Sequence, residues 1–207
     1  MSAPIEPSPD CAKCTRLVAF RGDNQALYPD FHNAPVPSFG PLDAEILVVG
    51  LAPGLKGANR TARPFTGDWA GDLLYPTLIK FGLATGTYGQ SPDDGLTMTR
   101  ARITNAVRCV PPQNKVIGAE IAACLPFLVA EIEAMPRLHT IVSLGLVSHN
   151  AVLKALGLKQ SAYKFAHGAR HNLGPYHLAH SYHCSRYHTN TGRLTTAMFE
   201  DVFSVLI

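Results

Sequence analysis

The chain has 207 residues, of which 46% are apolar and 16% charged, as expected for one domain with a single buried core. A formal net charge of +3 neither requires nor excludes nucleic acid as a partner, and no apolar run approaches the roughly 20 residues that span a bilayer. Since residues 1–10 also lack a secretory signal, we expect a monomeric cytoplasmic protein with reduced cysteines and no membrane partner.

Predicted strands and helices alternate along the chain. Short apolar runs predict strands at Glu45–Gly50, Arg102–Val107, His139–Leu144 and Leu173–His180. Apolar residues at helical spacing predict helices at Gly71–Phe81, Ile117–Met135, Leu146–Leu156 and Gly192–Leu206. This order indicates an α/β fold with a mostly parallel sheet covered on both faces, in one domain over residues 1–207 whose first ten residues form a loose tail. Ligands bind at the carboxyl ends of such strands, so the loops after Gly50, Val107 and His180 should share one rim.

Four cysteines have the arrangement of metal ligands. Cys11 and Cys14 form a C-x-x-C pair, whereas Cys109 and Cys124 lie far downstream. Four thiolates suit tetrahedral zinc or a [4Fe–4S] cluster, although buried cysteines also occur simply as small apolar side chains. The single C-x-x-C is unlike a zinc ribbon, but spacing alone leaves both metals open. We interpret Cys184 as a free thiol.

The loop after the first strand carries small residues and then an aromatic ring and an acid. Gly50, Ala52 and Gly54 allow backbone N–H groups to approach a ligand closely. Phe65 can stack on a planar ligand such as a base, and Asp68 can face a developing positive charge or orient a water. Alternatively, Phe65 is a core residue and Asp68 caps the following helix.

Polar residues also follow the later strands. Asn105 ends the second strand, and its amide can read the edge of a base. His183 can donate a hydrogen bond to a carbonyl oxygen that gains charge. Arg186 or Tyr187 can hold phosphates or enter the space left by an extruded base. Further candidate contacts to a DNA backbone are Arg60 and Lys115.

Five segments in order, C-x-x-C, GLAPG, NRTARPFTGDWAGDLLYP, TNAVRCVPPQNK and HCSRYHTNTGRLT, resemble the iron–sulfur uracil-DNA glycosylases, most closely type B or family 5. The resemblance implies a three-layer α/β/α fold, DNA as partner, and hydrolysis of the N-glycosidic bond of uracil to leave an abasic site. It also implies that Phe65 stacks on the base and that His183 is the histidine of the second motif. The implied structural [4Fe–4S] cluster is held by Cys11, Cys14, Cys109 and Cys124.

The resemblance also indicates which carboxylate takes part in the reaction. Related family 4 enzymes carry Glu, and the classical enzymes an activating Asp, in the loop where this chain has Leu51 and Ala52. Asp68 is then the remaining carboxylate, as in type B enzymes, which also accept other deaminated bases such as hypoxanthine. We expect Asp68 to stabilise the sugar cation and His183 to stabilise the leaving base. Two alternatives stay open: a non-catalytic iron–sulfur DNA-binding module on the same fold, and a zinc-stabilised nucleotide-binding domain.

Overall fold

The computed structural model describes residues 6–206. None of the helices in this range has the length and apolar character needed to cross a bilayer. In chain order the helices and strands are α1 (Thr15–Leu27), β1 (Ile46–Gly50), α2 (Ala58–Thr61), α3 (Trp69–Lys80), β2 (Ala84–Thr85), β3 (Thr97–Met98), β4 (Ala101–Asn105), α4 (Gly118–Glu133), β5 (Thr140–Leu144), α5 (Leu146–Ala155), β6 (Arg170–Asn172), β7 (His177–Ser181), α6 (Arg186–Asn190) and α7 (Thr196–Ser204).

The central sheet has the strand order β4-β1-β5-β7-β6. All neighbouring strands run parallel except β6, which pairs antiparallel with β7. β2 and β3 form a separate antiparallel hairpin. The register places Gly50 opposite Asn105, so the ends of β1 and β4 lie side by side.

The apolar run of β1 explains the layered architecture. All five of its residues are buried, and successive side chains of a strand point to opposite faces. Ile46 and Val48 pack in a core with residues of α3 and α7, whereas Leu47 and Val49 pack with residues of α4 and α5. The predicted α/β fold, with helices on both faces of a mostly parallel sheet, is therefore confirmed as three layers.

Two predicted elements differ from the structure by more than two residues at one end. Only the second half of the strand predicted at Leu173–His180 is confirmed, as β7, because the chain reverses direction between β6 and β7. Gly174 takes φ +86°, and the Leu173 N–H donates to the Tyr176 carbonyl at 2.8 Å. The helix predicted from Gly192 begins only at Thr196, where the Thr195 hydroxyl accepts from the Met198 N–H at 3.2 Å and caps the first turn.

The prediction of a loose tail over residues 1–10 falls in part on residues 1–5, outside the described residues. At Glu6 the segment is held to the rest of the domain, whereas Ser8, Pro9 and Asp10 are exposed. The Glu6 carboxylate pairs with Arg102 at 3.1 Å and with Arg108 at 2.9 Å. Both arginines also bind the fully buried Glu131 of α4, at 2.7 and 2.6 Å. This ion network ties the segment before Cys11 to the edge of the sheet.

Candidate functional site

The loops that follow β1, β4 and β7 meet at one edge of the sheet, as expected from their order. They surround a cleft of about 720 Å³, and a small pocket of about 30 Å³ lies beside it. The two share Gly54, Asp68 and His183 among their lining residues. The small pocket, named the base pocket below, is also lined by Phe65 and Asn105. Four side chains singled out from the sequence therefore lie around one space.

Gly50 ends β1 at a point where no side chain fits. A Cβ atom there would lie 2.3 Å from Asn105 Oδ1 and 2.5 Å from Phe65 Cζ. Real Cβ atoms do not approach other atoms so closely, so both the ring and the amide rest against the bare backbone of this residue. Gly50 itself lines neither the cleft nor the base pocket; it lies behind two side chains that line the pocket.

Phe65 is both a core residue and a wall of the base pocket. Its side chain is 6% exposed and belongs to the core on the α3 side of the sheet. Its ring lies nearly parallel to the His183 imidazole, with centroids 6.1 Å apart and planes at 29°. The backbone has φ +54°, in the left-handed region that side chains rarely adopt. The interpretation of Phe65 as a core residue is confirmed, and its ring also lines the base pocket.

Asp68 likewise has two contacts. One carboxylate oxygen accepts from the Ala70 N–H at 3.1 Å and caps α3. The other lies 3.1 Å from the Cβ position of Gly54 and 2.4 Å from that of Gly57, so only glycines leave room for it. Burial raises the pKa of Asp68 although the backbone N–H groups of Ala70 and Gly71 oppose this. The site holds a carboxylate with few neighbours to stabilise its charge.

His183 faces Asp68 and Phe65 from the loop after β7. Burial, with a smaller contribution from His188, lowers the pKa of His183 to about 4. The imidazole is therefore neutral at pH 7 and keeps one N–H donor. The His188 Nδ1–H donates to the His183 carbonyl at 2.8 Å, which holds the backbone of this loop in place.

Asn105 brings an unsatisfied acceptor into the base pocket. The residue is 3% exposed, and within the described part of the chain its Oδ1 has no hydrogen-bond partner. Leaving a buried polar atom unpaired costs about 1–3 kcal/mol. A ligand that donates a hydrogen bond to this oxygen would remove that cost.

At the mouth of the cleft the first residue of α3 contacts residues of α6. Trp69 is 44% exposed, and its Nε1–H donates to Thr189 Oγ1 at 2.7 Å. The Arg186 guanidinium lies 5.4 Å from the Trp69 ring centroid, and Tyr187 beside it is 70% exposed. The sequence patterns did not single out Trp69 or Gly57, because a half-exposed aromatic and one more loop glycine carry no local signal.

The remaining predicted residues lie at different places around this edge. Ala52 lines both the cleft and the base pocket. Arg60 and Lys115 are exposed, but among the described residues neither belongs to the lining of the cleft. The Arg60 side chain instead lies over Gly67, with Nη2 2.7 Å from the Cβ position of that glycine.

The four cysteines form a separate centre. Cys11, Cys14, Cys109 and Cys124 line one small cavity between α1 and α4, and none is in a disulfide. Burial raises the pKa of Cys109 to about 12 and that of Cys14 to about 11, with contributions from the neighbouring thiols. Within residues 6–206, no three Cys, His, Asp or Glu side chains are gathered closely enough to hold a single metal ion.

Comparisons with known proteins agree with the motifs. The family model described as the uracil DNA glycosylase superfamily matches residues 37–207. The chain is similar to the type-5 uracil-DNA glycosylase of Thermus thermophilus, with 44% identity over 93% of this chain and 90% of the relative. It is 40% identical to the type-5 enzyme of Pyrobaculum aerophilum over 93% and 86% of the two chains. It is 38% identical to the type-5 enzyme of Mycobacterium bovis, over 93% of this chain and 75% of the relative. The resemblance expected from the five segments is confirmed.

Proposed function

This chain belongs to the uracil DNA glycosylase superfamily, and we propose that it excises uracil from DNA by hydrolysing the bond between base and deoxyribose. The observation that carries this proposal is the base pocket, where an aromatic ring, a carboxylate, an unsatisfied amide and a neutral imidazole line one space. DNA binding alone requires phosphate contacts and no such enclosed set of groups. No observation favours a non-catalytic DNA-binding module.

The cleft receives the DNA strand, and the target base lies where the cleft and the base pocket join, at their shared lining residues Gly54, Asp68 and His183. Since the target atoms are hidden in a duplex, the nucleotide is flipped out at a cost of a few kcal/mol, least at a mismatch. Phe65 stacks on the extruded base. The Asn105 oxygen accepts from the N3–H of uracil, which removes the penalty of an unpaired buried atom. Arg186 and Tyr187, at the mouth of the cleft, contact the strand around the gap.

Bond breaking leaves positive charge on the sugar and negative charge on the base. The neutral His183 donates its N–H to uracil O2, and a donor of this kind is typically worth about 3–4 kcal/mol. The carboxylate of Asp68 stabilises the sugar cation and positions the attacking water. Backbone N–H groups of the loop from Gly50 to Gly54 approach the base because that loop is built of small residues. No protein nucleophile is required.

We also propose a structural [4Fe–4S] cluster held by Cys11, Cys14, Cys109 and Cys124. The four thiols line one cavity, and four cysteine thiolates are the usual ligand set of a [4Fe–4S] cluster. The resemblance to the iron–sulfur uracil-DNA glycosylases favours this cluster over a zinc ion. A cluster held by these four thiolates would link the segment before α1 to the loop after β4 and to α4, and the proposed reaction does not pass through it.

Iron and acid-labile sulfide in the purified protein test the cluster. Cys109→Ser should lose most of both, whereas Cys184→Ser should retain them, because Cys184 is a buried core residue outside the cysteine cavity. If the wild type contains zinc and no iron, and Cys109→Ser loses that zinc, the cysteines bind a metal but the proposal of an iron–sulfur cluster is wrong.

The activity is tested with labelled oligonucleotides that carry one uracil, one thymine or one hypoxanthine. Uracil DNA should become alkali-labile at the uracil, thymine DNA should not, and the hypoxanthine strand tests extension to other deaminated bases. Asn105→Ala should slow uracil excision roughly tenfold or more, as expected for loss of a buried hydrogen bond to substrate. Tight binding to uracil DNA with no excision would contradict the proposal and support the binding module.

A further inference from the structure

We propose that Tyr88 is a positioning residue for Phe65. Its hydroxyl holds the backbone of the turn at Phe65–Gly67, and this contact sets the ring that stacks on the flipped base. The inference rests on the stacking role proposed above for Phe65. It assigns a task to a loop, residues 86–96, that lies outside the five family-like segments of the sequence.

The turn at Phe65–Gly67 needs an external restraint. Phe65 has φ +54° and Gly67 has φ +81°. The glycine adopts this conformation readily, but for an aromatic residue the left-handed region is unfavourable. Such a residue persists only where its surroundings hold it, and such strain is concentrated at ligand sites.

Tyr88 contacts both sides of the turn through one atom. Its Oη donates to the Phe65 carbonyl at 3.2 Å and accepts from the Gly67 N–H at 3.3 Å. Gly71 of α3 lies directly beneath this pair, because a Cβ there would be 1.9 Å from the Phe65 oxygen and 2.2 Å from Tyr88 Oη. The phenol is therefore enclosed between the turn and the helix, and the turn cannot relax without breaking both hydrogen bonds.

Tyr88 is itself held in place by buried groups. Its ring packs on that of Tyr75, with centroids 4.7 Å apart, and the Arg63 guanidinium lies 6.0 Å from its centroid. Arg63 forms a two-pronged ion pair with Asp94, at 2.9 and 2.7 Å. The same carboxylate accepts from the Gly89 N–H at 2.9 Å, so the ion pair fixes the backbone next to Tyr88.

The restraint reaches the base pocket through the Phe65 ring. That ring lies against the bare backbone of Gly50 and beside His183, so a change in its backbone moves a wall of the pocket. Tyr88→Phe removes the hydroxyl and keeps the packing on Tyr75. We expect the single-turnover rate of uracil excision to fall roughly tenfold, since two ordinary hydrogen bonds are lost.

A double-mutant cycle separates positioning from general weakening of the fold. Excision is measured for the wild type, Tyr88→Phe, Phe65→Ala and the double variant, below the unfolding transition of each. If Tyr88 acts through Phe65, then Tyr88→Phe slows the wild type but changes the Phe65→Ala enzyme less than twofold. Affinity for DNA with an abasic-site analogue, which has no base to stack on, should be unchanged. Tyr176→Phe, a partly buried tyrosine packed in the core on the opposite face of the sheet, is the matched control and should behave as wild type.

The outcomes are distinct. Equal losses for Tyr88→Phe in both backgrounds, or no loss in either, would overturn the positioning role while leaving the stacking role intact. Wild-type excision by Phe65→Ala would overturn both. Weaker binding of Tyr88→Phe to the abasic analogue would show that the whole cleft has changed shape, and it would also overturn the inference.

Discussion

Replacing Asp68 by Asn separates the two contacts of this side chain. The amide keeps an oxygen that can accept from the Ala70 N–H, now at 3.1 Å, so the cap of α3 remains. The other carboxylate oxygen, which fits against Gly54 and Gly57, becomes an uncharged group of the same size. The variant therefore removes a charge from the base pocket and very little else.

The magnitude follows from the proposed role of that charge. Two unit charges about 4 Å apart interact by about 4 kcal/mol at an effective dielectric constant of about 20. Since each 1.36 kcal/mol is a factor of ten in rate, loss of this interaction should slow excision by roughly 10³-fold. Binding to uracil DNA should change little, because the charge on the sugar arises only in the transition state.

Although Asp68→Asn should excise uracil more slowly, its folded state should be no less stable than that of the wild type. Burial raises the pKa of Asp68, so its charged form is less favourable in the folded than in the unfolded protein. That penalty is absent below the unfolded pKa and develops as pH rises through the folded pKa. At pH 7 the Asp68→Asn variant should therefore unfold at a temperature no lower than that of the wild type.

The assay is single-turnover cleavage of a uracil oligonucleotide, together with thermal unfolding at pH 7. Asp72→Asn is the matched control, since Asp72 is an exposed acid in the first turn of the same helix, and it should excise uracil at the wild-type rate. An Asp68→Asn enzyme within threefold of the wild-type rate would refute the proposed role. A large drop in its unfolding temperature would refute the account of its charge.

The excision rate of the wild type should fall in acid with a midpoint above the ordinary Asp value of 3.8, because burial raises the pKa of Asp68 while His183, with a pKa of about 4, is neutral at pH 7; a midpoint below 3.8 would contradict this. Gly50→Ala would place a Cβ atom 2.3 Å from Asn105 Oδ1. It should slow excision about 10²-fold by displacing pocket walls, and it should lower the free energy of unfolding, measured in urea, by about 1–3 kcal/mol. Excision at the wild-type rate would show that the wall tolerates the methyl group. Glu131→Gln removes the buried charge between two arginines and should lower the free energy of unfolding by about 3–5 kcal/mol, so a loss below 1 kcal/mol would show that Glu6 alone neutralises them.

The layers of the fold and most of the residues that line the base pocket could be predicted from the amino-acid sequence. The run Ile46–Gly50 is apolar throughout, which is sufficient to predict a strand buried on both faces. Asn105 at the end of a strand and His183 in the loop after one were singled out because ligands bind at the carboxyl ends of the strands in a parallel sheet. Asp68 is recognisable from its place before a helix, since an N-cap is a local pattern.

How these residues meet depends on contacts between distant segments of the chain. The register of β1 with β4 places Asn105 beside Gly50, and a one-residue shift would turn the amide to the other face of the sheet. The left-handed backbone of Phe65 and the hydroxyl of Tyr88 that holds it depend on contacts between segments 23 residues apart. Periodicity reports on neighbours along the chain, whereas the pocket is built from contacts across it, which is why its residues could be named in advance but their arrangement could not.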